Sequence, residues 1–178
     1  MGGSSFKALA FFVAAAQPGI ANAAAPEPLY GKSIVVSYVN TTSLRAAGTQ
    51  APFRTTQTPR RLHVYVSSAG RAFMRAGKAS RRGMEQLGAS STNPTGGATT
   101  LQFQDRSLIV GFGYVDGATR IQVDFSGDYR SCTATVAHGK ASGSQTYLFK
   151  SGGKTYEIQS SMANGIRCAI TDDNVLAR

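Results

Sequence analysis

The chain of 178 residues has no tryptophan, two histidines, two cysteines and only nine acidic residues against 19 basic ones. Each scarcity excludes something. With tyrosine and phenylalanine as its only rings, the chain is poorly equipped to bind neutral glycans, whose binding surfaces favour large flat aromatics. The two histidines, His63 and His138, and the scattered carboxylates lack metal-ligand spacing, so neither a metal nor a cofactor is expected. No Gly-x-Ser-x-Gly elbow, phosphate-binding glycine loop or His-Glu-x-x-His pair occurs, and no residue is assigned a catalytic role. Long apolar runs are missing too. The best candidate, residues 8–16 (ALAFFVAAA), has nine residues, about half of the ~20 that span a bilayer. No membrane span is expected.

That short run is informative in another way. It follows Lys7, is stopped by Gln17-Pro18-Gly19, and leads to Ala21-Asn22-Ala23, the small-x-small pattern that signal peptidase cuts after. The expectation is a signal peptide over residues 1–23, with Ala25 marking a neighbouring cleavage site, and a mature protein in the periplasm or outside the cell. Residues 24–28 and 174–178 then form short tails around one β domain over 29–173. In an oxidising compartment an isolated cysteine pair reads as one structural disulfide. Cys132 and Cys168 form no C-x-x-C motif, and two sulfurs alone do not make a zinc site.

Without the leader and its single Lys7, 18 bases face nine acids. The excess is uneven. Between Glu27 and Glu85 there is no acid at all, while ten cations fall in that interval, among them Arg60, Arg61, Arg71, Arg75, Arg81 and Arg82. From Glu85 onward eight acids meet eight bases. A basic first half suggests an anionic partner or surface.

The second half reads as an antiparallel meander. Turn signals at Gln104-Asp105, Asp116-Gly117, Gly127-Asp128, Gly139-Lys140, Gly152-Gly153 and Asn164-Gly165 recur every 11 to 13 residues, the spacing of sandwiches and barrels. Between them apolar residues alternate with polar ones: Leu108, Val110 and Phe112; Ile121, Val123 and Phe125; Cys132, Ala134 and Val136; Ile166, Cys168 and Ile170. Both cysteines fall on the inward parity. The outward faces carry Thr, Gln, Arg and Asp rather than an apolar girdle, which argues against an outer-membrane barrel. In the first half, strands are expected over 32–39 and 62–66, with long connections over 41–59 and 77–98 and one short helix over 80–87. The fold class is all-β, a single sandwich or up-and-down barrel of about eight to ten strands.

A candidate binding face lies on the first hairpin. A three-residue turn over 68–70 sets Tyr65 opposite Phe73 and His63 opposite Arg75, so that rings and arginines share an exposed face. Such interleaving suits polyanions, because rings stack while guanidinium groups pair with phosphate or carboxylate. A two-residue turn puts Phe73 opposite Val66 in the core and disperses the stripe. Hairpin chemistry favours the shorter turn, and with it a core Phe73. The candidate set is Arg60, Arg61, His63, Tyr65, Arg71, Arg75, Arg81 and Arg82.

Gly31-Lys32-Ser33-Ile34-Val35-Val36-Ser37, Arg106-Ser107-Leu108, Gly117-Ala118-Thr119-Arg120-Ile121, Ser131-Cys132-Thr133-Ala134 and the late Cys168 together resemble a group of small exported β-rich proteins of Gram-negative bacteria. The resemblance implies bacterial origin, export and one disulfide; no activity is attached to the group. The leading expectation is a non-enzymatic binding or envelope-associated protein whose partner is lipopolysaccharide, an acidic polysaccharide or an acidic protein. A small-ligand-carrying barrel stands second. A basic secreted hydrolase or toxin stands third, and needs His63 and His138 brought together with Glu157 or Lys140.

Overall fold

The structure, a computed structural model, describes residues 24–80, 83–87, 98–113, 117–140 and 145–177. The expected signal peptide, residues 1–23, lies outside them, as do Arg81 and Arg82. A 3-10 turn over Glu27–Leu29 precedes ten antiparallel strands. Strands β1 (Ser33–Ala46), β2 (Arg54–Val66), β3 (Ala72–Ser80) and β4 (Gly83–Leu87) form one meander. The chain then crosses to a second meander, β5 (Thr100–Gln104), β6 (Ser107–Gly113), β7 (Gly117–Phe125) and β8 (Cys132–Lys140). It returns through β9 (Tyr147–Ser151) to β10 (Lys154–Thr171), which pairs with β1. The result is a six-stranded sheet, ordered β4-β3-β2-β1-β10-β9, packed on a four-stranded one. It is an open sandwich and not a closed barrel.

Alternation builds the core. Ile34, Val36, Leu62, Val64, Val66 and Met74 point inward from the larger sheet. Leu101, Leu108, Val110, Ile121 and Val123 meet them from the smaller one, with Phe103 and Phe125 stacked at 6.4 Å between ring centroids. The N-terminal stretch belongs to this core as well. Leu29 is fully buried, and Ala25 packs in with its amide bonded to the Gly70 carbonyl at 3.2 Å. The C-terminal segment is tied across β1, where Ser33 Oγ donates to the Asp173 carbonyl and accepts from the Val175 amide.

Cys132 and Cys168 form a disulfide joining β8 to β10, with their Cα atoms 5.6 Å apart. Sheets stacked face to face normally lie roughly 10 Å apart, so the bridge pinches the two layers together at this edge.

Several expectations are corrected. Residues 83–87 form strand β4, not a helix, because they pair backbone to backbone with the end of β3. The long connection expected over 41–59 shrinks to residues 47–53, since β1 and β2 continue their ladder as far as Leu44 and Arg54. Asn164-Gly165 is not a turn. Gly165, at φ +61°, lies where the register slips by one residue, and the 18-residue β10 runs on through it against the long β1. Phe73 is not in the core. The hairpin turn has three residues, Ser67 bonds Arg71 across it, and Tyr65 pairs with Phe73.

Candidate functional site

The longer turn puts the hairpin's rings and cations on one face. On the outer surface of the six-stranded sheet, His63 of β2 lies opposite Arg75 of β3, and Tyr65 lies opposite Phe73. Arg61 continues the row one step along β2, beside Ser37 of β1. Just after the turn's glycine, Arg71 sets its guanidinium 5.8 Å from the Phe73 ring centre, a cation–π distance. Arg61 and Arg71 are exposed, whereas His63, Tyr65, Phe73 and Arg75 are half-buried among their neighbours.

Burial, followed by the nearby Arg61 and Arg75, holds His63 below the ordinary histidine pKa. The ring is therefore neutral near pH 7 and packs between the cations without adding to their repulsion. Arg75 Nε is sealed from solvent and has no hydrogen-bond partner among the described residues.

Arg167, absent from the sequence-derived set, joins this face. Ser37 pairs with Arg61 on one side and with Arg167 of β10 on the other, so these two arginines stand two strands apart, about 10 Å by strand spacing. Nothing local in the sequence announces this, because β1 and β10 meet across most of the chain. The outward positions of β1, β2, β3 and β10 in these rows hold Val35, Ser37, Ala169, Tyr65, Phe73 and the cations, with no carboxylate among them. Lys32 and Asp172 form an ion pair at 3.7 Å just beyond the paired ends of β1 and β10.

Arg60 is separated from the set. It shares the parity of Leu62 and Val64, pairs with Tyr38, and faces inward. Alternation alone already carried that signal, since Arg61 and His63 share one parity and Arg60 the other. The histidines do not meet either. His63 is on the outer face of the larger sheet, while His138 continues the inward row of Cys132, Ala134 and Val136 on β8. No acid–base pair can form between them across the sheet. Thr119 Oγ1 and His138 Nδ1 share a hydrogen bond of 2.8 Å. Burial first and Arg60 second hold this histidine too below its ordinary pKa. Among the described residues no group of three or more His, Cys, Asp or Glu could hold a metal ion, and no helix is long and apolar enough to cross a membrane.

No family model, curated protein or solved structure matches the chain.

Proposed function

We propose that the protein is an exported, non-catalytic binding protein that holds an anionic polymer, an acidic polysaccharide or the glycan of lipopolysaccharide, on the outer face of its six-stranded sheet. The observation that carries this reading is the acid-free patch in which Arg61, Arg71, Arg75 and Arg167 surround Tyr65 and Phe73. An open sheet face suits a polymer lying across the strands. Guanidinium groups offer paired donors to carboxylate or sulfate, and the rings give the sugar backbone an apolar bed. The disulfide fits folding in an oxidising compartment.

The test is retention of the oxidised protein on heparin across a salt gradient. A triple variant, Arg61→Gln/Arg71→Gln/Arg167→Gln, is run beside an equal-charge control, Arg106→Gln/Arg120→Gln/Arg130→Gln. A localised site predicts a steep salt dependence that the first variant loses and the control keeps. Equal losses in both would reduce the effect to net charge and overturn the reading.

A further inference from the structure

Where the inner face of the six-stranded sheet runs past the apolar core, its side chains turn polar. Along β1 the inward row passes from Ile34 and Val36 to Asn40 and Thr42, and along β2 from Val64 and Leu62 to Arg60 and Thr58. Inner positions of a sandwich are normally apolar, because unpaired polar groups between sheets are costly. Here they are arranged. Asn40 Nδ2 donates to Thr42 Oγ1 at 3.1 Å, Thr42 and Ser161 share a 3.3 Å hydroxyl contact, and Ser161 Oγ donates back to Asn40 Oδ1 at 3.0 Å. This closed ring holds three side chains in place while leaving lone pairs and donors toward the space above.

That space is walled rather than open on both sides. Tyr147 of β9, only 5% exposed, reaches across to the end of the four-stranded sheet. A Cβ on Gly117 of β7 would stand 3.2 Å from the Tyr147 ring and 2.7 Å from the Gly139 carbonyl. Thr119 and His138 form the roof, and Phe149 lines the side. The cleft has two adjoining lobes of about 90 Å³ and about 140 Å³, the larger close to the ~150 Å³ that accommodates a benzene ring. Together they take one small ring and its substituents, and they are too small for an enclosed oligomer. Arg60 lines both lobes, and no carboxylate lines either among the described residues. His138 Nε2 is buried at the roof with no hydrogen-bond partner among them.

We propose that this cleft binds one hydroxylated carboxylate the size of a single sugar acid. Its carboxylate rests on Arg60, its hydroxyls on Thr58 and the Asn40–Thr42–Ser161 ring, and its carbon face against Phe149. A single guanidinium balances a monoanion. A phosphate dianion would set two negative charges against that one inward guanidinium in a half-enclosed site. Hydroxyls and an amide that both donate and accept fit a polyol better than a plain fatty acid. This site does not rest on the outer-face reading: Arg60 has the inward parity and lines both lobes, whereas Arg61, of the outward parity, borders only the larger one.

Calorimetric titration of the oxidised protein with glucuronate tests it, with glucose and inorganic phosphate as competitors for the assignment. Saturable glucuronate binding is expected, with glucose and phosphate about tenfold weaker or worse, and Arg60→Gln reducing glucuronate affinity by about tenfold or more. Thr58→Val, nearly isosteric, should weaken glucuronate about threefold or more without disturbing the fold. Arg130→Gln should leave binding unchanged. No saturation, equal affinity for glucose or phosphate, or wild-type affinity in a folded Arg60→Gln or in Thr58→Val would overturn the proposal. The heparin comparison is read on Arg61, Arg71 and Arg167 and the titration on Arg60 and Thr58, so the two readings fail separately.

Discussion

Gly70 closes the β2–β3 hairpin at φ +74°, and a Cβ there would stand 2.6 Å from the Tyr30 hydroxyl and 2.7 Å from its ring. Tyr30 in turn packs on the core beside the 3-10 turn. Gly70→Ala therefore meets two penalties, a left-handed backbone and a displaced ring. Together they should cost about 2–4 kcal/mol, lowering Tm by roughly 5–15 °C for a chain of this size. Gly48 has the same φ of +74° with nothing within 4 Å. Gly48→Ala should cost only the backbone part, about 1 kcal/mol. Equal losses in the two, measured by thermal melting, would mean that the Tyr30 contact contributes nothing. At this scale the sequence was legible wherever a side chain's direction follows from alternation: Leu62, Val64, Ile121 and Val123 are inward as their parity requires. Phe73 was not legible, because its side depends on whether the turn holds two residues or three. Gly70 decides that by supplying the positive φ that the longer turn uses.

Among the elements, β8 and β10 carry the only covalent tie between the sheets. Cys132 and Cys168 are separated by 36 residues, and closing such a loop is worth about 3–4 kcal/mol in the chain-entropy treatment. Cys132→Ala/Cys168→Ala should lower urea stability by about that amount. An unchanged midpoint would show that packing alone holds the layers together. The pairing was legible because both cysteines share the inward parity of their strands. The length of β10 was not. Asn-Gly ordinarily signals a hairpin, but Gly165 lies at a bulge because β1 is long enough to pair on both sides of it. Residues 80–87 misled for a related reason, since short-range helical preference yields to an available strand edge. Of the candidate site, the Arg61/His63/Arg75 row follows from sequence once the turn length is known. Arg167 and the Asn40–Thr42–Ser161 ring depend on the β1–β10 register, which no local pattern fixes.

For the molecule as a whole, charge and acidity are coupled through the two histidines. His63 lies on the outer face and His138 in the cleft, yet both are held below the ordinary value of 6.5 by burial and neighbouring arginines. As pH falls, the unfolded chain takes up these protons before the folded one. The histidines' contribution to stability is thus complete above about pH 6.5 and is lost as pH descends through the depressed folded values. Urea midpoints should fall between about pH 7 and about pH 5, and His63→Gln/His138→Gln should flatten that slope. An equally steep slope in the variant would assign the loss to other groups. Asp124, held below 3.8 by hydrogen bonds from Ser107 and Gln122, adds a further loss only at lower pH.

The pairing of the first strand with the last has a kinetic consequence. β1 finds its longest partner only in β10, with Ser33 bonded opposite Thr171, so the larger sheet cannot close until almost the whole chain has been made. Contacts of such sequence separation are slow to form, on the order of milliseconds to seconds in β proteins. Until then the β1–β4 meander stands with one long edge unpaired. The larger sheet of such a chain keeps that edge open until its last strand arrives.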